Sequence, residues 1–226
     1  AGWIAAAAGL AGKKEGDPPH IILFPEVPFE EARFVAAVKN AVEKFGYCTV
    51  VVSEGVRDPE GRFLAEAGTR DAFGHVQLGG AGPAIAEKVR SALGYKYHWA
   101  VSDYLQRSAR HIASKVDVDI SVKVGAAAVK LALAGKNATM PIVKRTSSHP
   151  YRYEIVTAAL GDVANHERKL PKDFISEDGF GITKAARNYL EGLVQGEAYP
   201  PYVNGLPDYV RLKNQLVDKR LPEYPV

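Results

Sequence analysis

Tyr104 and Arg107 stand three residues apart, so they share a face if the chain between them turns helically. Lys96-Tyr97-His98-Trp99 precedes them, and Arg110 and His111 follow. Arginine brings a bidentate fork, lysine a point charge and tyrosine a neutral hydroxyl, a set suited to a phosphorylated substrate. An aromatic strand with a solvated basic end explains the same residues equally well. Glu54 is a second candidate, directly after the run of residues 47–53 that reads as a buried strand. A carboxylate just past a buried parallel strand lies where open α/β sheets bind ligands. A solvated loop charge or a helix cap is the plainer explanation. Gly74-His75-Val76-Gln77-Leu78-Gly79-Gly80-Ala81-Gly82 has the make-up of a phosphate-cradling loop before a helix, but a flexible turn is the plainer explanation.

Other chemistries find little support. No Gly-Lys-Ser/Thr triplet occurs, which excludes a Walker nucleotide site in this chain. The six histidines never pair at i,i+3 or i,i+4, and no carboxylate-rich cluster accompanies them, so no metal site is expected from this chain. There is no G-x-S-x-G elbow. The single cysteine, Cys48, excludes an internal disulfide and lies in an apolar run as a structural thiol. One cysteine without a disulfide framework points to the cytoplasm. The net charge of +3 gives no reason to expect nucleic acid and is compatible with an anionic small molecule. The apolar stretch of residues 1–11 is too short to span a bilayer, and its lysines follow it, the reverse of the secretory order. No membrane association is expected.

The elements that must position these residues follow from hydrophobic spacing. The 46% apolar content rules out a disordered chain. Residues 20–24 and 47–53 are continuous apolar runs that read as buried parallel strands. Between them Phe34, Val38, Ala41 and Phe45 line one face of a helix beginning near Pro28 and stopped by Gly46. This is a βαβ unit with an expected right-handed crossover. Residues 55–83 read as a long loop, 84–93 as a helix and 95–101 as a third strand. A long helix over 117–134 presents Val122, Ala126, Val129 and Leu133 as its apolar face. Residues 139–144 and 151–156 read as strands, 182–194 as a helix, and the proline-rich end as a surface strap. The chain opens without methionine and inside a helical pattern, so residues upstream are expected.

Several stretches in order resemble the phosphofructokinase family. Ala1-Gly2-Trp3-Ile4-Ala5 resembles the segment after that family's Met-Gly-Arg-His motif, and Ser53-Glu54-Gly55 its glutamate turn. Lys96-Tyr97, then Tyr104-Leu105-Gln106-Arg107, then Ser114-Lys115-Val116-Asp117 resemble the sugar-phosphate segment of its pyrophosphate-dependent branch. The similarity runs to about Gly135. It implies an α/β protein, three-layer α/β/α with a mostly parallel, Rossmann-like sheet. Residues 1–109 would be the sugar-phosphate domain, and residues 110–226 would return toward a missing amino-terminal domain.

The implied reaction moves a phosphoryl group from pyrophosphate to fructose 6-phosphate, with Mg2+. The implied setting is a cytoplasmic, glycolytic homo-oligomer. Glu54 would meet sugar hydroxyls, while Lys96, Tyr104 and Arg107, with Leu105 and Gln106 between them, would hold the 6-phosphate. The family's base and metal ligands lie upstream and are absent here, so this part alone is expected to be inactive. A non-catalytic regulatory subunit, or the ATP-dependent kinase, remains the alternative. The ATP-dependent relatives carry a Gly-His-x-Gln-Arg signature in which the histidine and arginine bind the sugar phosphate. Here Leu78 replaces that arginine, so the Tyr104 segment is preferred and His75 is taken as a loop residue.

Overall fold

The structure, a computed structural model, describes residues 2–64, 66–70, 76–78, 80–216 and 218. In chain order the elements are α1 (Trp3–Ala8), β1 (Ile21–Leu23), α2 (Glu31–Phe45), β2 (Val50–Val52), β3 (Glu66–Arg70) and β4 (Val76–Leu78). There follow α3 (Ala81–Leu93), α4 (Leu105–Ser108), α5 (Lys115–Leu133), β5 (Thr139–Ser148), β6 (Tyr151–Ala159), α6 (Lys184–Glu191), β7 (Tyr202–Val203) and β8 (Leu206–Pro207).

The run Ile21-Ile22-Leu23 is apolar at every position because both faces of its strand are covered. Ile21 and Leu23 point to one side and pack with Phe34 and Val38 of α2 and Ile85 and Val89 of α3. Ile22 and Phe24 point to the other, against Ala5 and Ala6 of α1 and Leu190 of α6. This period-2 alternation makes the three layers, helix on sheet on helix. β1 and β2 pair in parallel, Ile21 opposite Val50 and Leu23 opposite Val52. The α/β class stands; among the described residues the parallel sheet is two strands wide, and the other strand pairings, β3–β4, β5–β6 and β7–β8, are antiparallel.

The helix α2 ends as its sequence implies. Gly46 adopts φ 81°, and its N–H donates to the Val42 carbonyl at 2.8 Å. Its start differs from expectation: Pro28 precedes the helix, and Phe29 enters the core before Glu31 opens the first turn. Within residues 55–83, where a loop was expected, β3 and β4 pair antiparallel.

Residues 95–101 are not a strand. An apolar run becomes a strand only when a ladder partner satisfies its backbone, and among the described residues none lies alongside. Lys96 and the run from His98 to Val101 are exposed instead.

The predicted helix is present as α5, but the predicted apolar face points to solvent. Val122 is 67% exposed, Val129 60% and Leu133 84%. The half-buried stripe is Val116, Ile120, Val124, Ala127 and Leu131, where α5 lies against β5.

Residues 170–194 come back to the first layer. Trp3 meets Tyr189 at 5.6 Å and Phe174 at 6.1 Å between ring centroids. The Arg187 guanidinium donates to the carbonyls of Gly9 and Gly12 at 2.9 and 2.7 Å. The Glu26 carboxylate accepts from the N–H groups of Gly2 and Leu170 at 3.0 and 2.9 Å. No helix among the described residues is long and apolar enough to cross a membrane.

Candidate functional site

Glu54 sits in a tight turn at the carboxyl end of β2. The Ser53 N–H donates to the Leu23 carbonyl at 3.1 Å, which extends the β1–β2 ladder by one step. Val56, 1% exposed, then plugs into the core and fixes the far side of the turn. Glu54 between them is left exposed, and among the described residues its carboxylate has no hydrogen bond or ion pair. A free carboxylate accepts only, so hydroxyl donors suit it.

The basic segment leaves α3 through Gly94. Tyr95 leans on the same core cluster, and Lys96 next to it is exposed and unpaired among the described residues. At Asp103 the backbone turns left-handed, φ 44°, a conformation that aspartate tolerates better than most residues. That turn sets up α4. The Tyr104 carbonyl accepts from the N–H groups of Arg107 and Ser108 at 2.8 and 3.0 Å and from the Ser108 hydroxyl at 3.1 Å.

The expected shared face is therefore real. The Arg107 guanidinium stands 5.2 Å from the Tyr104 ring centroid, a cation–π pair. Both side chains are exposed, and Arg107 has no carboxylate partner among the described residues. Leu105 is 57% exposed, and Gln106 lies within α4. No hydrogen bond or ion pair links Lys96 or Glu54 to the Tyr104–Arg107 pair. Of the glycine-rich candidate loop, Gly74, His75 and Gly79 lie outside the described residues, Val76–Leu78 form β4, and Gly80 caps α3 with φ 102°.

Arg110 behaves differently from Arg107. Its guanidinium is half-buried and donates to the Ala198 carbonyl. Sequence reading gave no signal for this contact, which joins residues 88 positions apart. Cys48 is half-buried, and burial pushes its thiol up to about 11, as befits a structural cysteine. Among the described residues no three His, Cys, Asp or Glu side chains come together to hold a metal ion.

The arrangement offers two unpaired cations and a phenol on one segment and an unpaired carboxylate at a strand end. A family model described as Phosphofructokinase matches residues 1–132, which takes in Glu54, Lys96 and the whole Tyr104–Arg107 turn. The chain belongs to the phosphofructokinase family. Two relatives within it are named pyrophosphate–fructose 6-phosphate 1-phosphotransferase. The one from Halomonas elongata is 56% identical over 99% of this chain and 54% of its own length. The one from Methylococcus capsulatus is 58% identical over 98% of this chain and 53% of its own. The crystal structure of a pyrophosphate-dependent phosphofructokinase from Nitrosospira multiformis superposes with a TM-score of 0.83 at 50% identity, covering 100% of this chain and 53% of that one. The chain thus spans about half the length of the curated phosphofructokinase relatives it matches.

Proposed function

We propose that this chain is the sugar-phosphate-binding, carboxyl-terminal part of a pyrophosphate-dependent 6-phosphofructokinase. The whole enzyme transfers a phosphoryl group from pyrophosphate to the 1-hydroxyl of fructose 6-phosphate. The observation that carries this reading is the identity of more than half, over nearly the whole chain, to proteins named for that reaction.

In this reading Arg107 and Lys96 neutralise the 6-phosphate dianion and the Tyr104 hydroxyl donates to it. Leu105 and Gln106 complete the turn that spaces them. Glu54 accepts from sugar hydroxyls and so orients the ring. Phosphoryl transfer depends mainly on positioning and charge stabilisation, so a clamp on the sugar contributes to rate as well as affinity. Residues 1–109 form the sugar-phosphate domain. Residues 170–194 pack into the core of that domain, and the stretch between, with α5, faces an amino-terminal domain that carries the base and the Mg2+ ligands. The uncovered apolar stripe of α5 supports that division, because it needs a partner surface. A cytoplasmic, glycolytic, homo-oligomeric enzyme completes the proposal.

The test is an assay of the full-length protein with pyrophosphate and with ATP in turn. Activity with pyrophosphate is expected, and none from the 226-residue chain alone. Activity with ATP only would overturn the donor assignment. Full activity from the isolated chain would overturn the division of labour.

A further inference from the structure

The Tyr104–Arg107 turn is held in place by an unusual means. Within this chain no described side chain from residue 90 to residue 169 is buried, so no packing inside the chain fixes it. The hydrogen bonds of residues 102–113 are local: Leu105 N–H to Ser102, Arg107 and Ser108 N–H to Tyr104, Ala109 N–H to Leu105, Ile112 N–H to Ala109. Among the described residues, the bond that leaves this segment for distant sequence is the one from the Arg110 guanidinium to the Ala198 carbonyl.

Ala198 belongs to a strap that is itself well fixed. The Ser114 hydroxyl donates to the Leu193 carbonyl at 3.0 Å, and the N–H groups of Lys115 and Val116 donate to the carbonyls of Gly196 and Gln195 at 2.9 and 3.2 Å. Ser114 also bridges to Glu197. Pro200, just beyond, is buried, and its ring restricts the residue before it. The strap is thus clamped on the amino-terminal turn of α5. Arg110, one turn past Arg107, reaches across to it.

We propose that Arg110 is a positioning residue for the sugar-phosphate clamp: by tying residues 104–112 to the Ala198 carbonyl, it sets where the Arg107 guanidinium points. The proposal rests on the functional reading above and deepens it. Arg110 does not touch the sugar phosphate; it acts through Arg107. Its charge matters less than its reach, because one guanidinium N–H donates to a neutral backbone carbonyl. Losing the tie leaves Arg107 present but poorly aimed, and misplacement of a binding group costs affinity.

The experiment uses the full-length enzyme with pyrophosphate and fructose 6-phosphate, comparing wild type, Arg110→Ala, Arg110→Lys, Arg107→Ala and the double variant. Arg110→Ala should raise the KM for fructose 6-phosphate about three- to tenfold, lower kcat by no more than that factor, and leave the KM for pyrophosphate and the melting temperature near wild type. Arg110→Lys should recover part of the loss. The double variant should match Arg107→Ala alone, because a residue acting through Arg107 has nothing left to position. An unchanged KM in Arg110→Ala, or effects that multiply in the double variant, would overturn the positioning role. A wild-type enzyme without transferase activity would instead overturn the functional reading on which it rests.

Discussion

The chain divides into two regions that follow opposite rules. The two core clusters draw their buried residues from positions 5–89 and 170–190 only. From 90 to 169 no described side chain is buried, although that stretch contains a 19-residue helix and a ten-residue strand. The first region is stabilised by apolar burial on both sides of β1. The second keeps its shape through local hydrogen bonds, the β5–β6 ladder and a few long ties. Three of the proposed ligand-contacting side chains, Lys96, Tyr104 and Arg107, lie in the second region. Glu54 lies on the rim of the first. A rigid body thus presents one contact, and a segment free of core packing carries the charged ones.

The comparison breaks most readily at Phe34, which is 0% exposed between β1 and α3. Phe34→Ala should cost about 3–5 kcal/mol in a denaturant melt. In the same 226-residue chain Leu133→Ala, at 84% exposed, should stay within about 0.5 kcal/mol. Comparable losses at both positions would erase the distinction between the regions.

Glu54→Gln comes next in size and reads function where Phe34 reads folding. One acceptor oxygen becomes an amide NH2 that meets hydroxyls as a donor. In the full-length enzyme we expect weaker sugar binding and a fall in kcat of about tenfold, with an unchanged melting temperature. Unchanged kinetics would make Glu54 a loop charge, and a large drop in melting temperature would make it structural.

The smallest effect is at Cys48. Burial raises its pKa from 9.0 to about 11 in the folded chain. A raised value means that the folded state holds its proton more tightly. The associated stability is therefore complete below pH 9 and is lost as the pH rises toward 11. Because the thiol is half exposed, the loss is modest. Melts from pH 8 to 11 should show a steeper alkaline decline for wild type than for Cys48→Ala. Parallel curves would show that the thiol is not coupled to folding.

Much of the body was legible in the sequence, and the second region was legible in part. Residues 21–23 and 50–52 read as strands because a strand covered on both faces is apolar throughout. The buried face of α2 followed from its period and its end from Gly46, while its start did not follow from Pro28. The helix α5 was equally periodic, yet the face assigned to the core was the exposed one. It carries two apolar stripes, and spacing alone does not say which one β5 covers. Residues 95–101 have strand composition without a neighbouring strand, a fact that belongs to tertiary structure. The Tyr104–Arg107 face was legible from three-residue spacing. The left-handed turn at Asp103 and the Arg110 tie to Ala198 were not, since neither leaves a local pattern.

The central claim is that the Tyr104–Arg107 turn grips the phosphate of the sugar, and Arg107→Ala in the full-length enzyme tests it most directly. Loss of a charge-assisted contact to a dianion should cost about 1.5–3 kcal/mol. The account predicts a KM for fructose 6-phosphate raised by about ten- to a hundredfold, with the KM for pyrophosphate nearly unchanged. A raised KM for pyrophosphate with fructose 6-phosphate binding intact would contradict it.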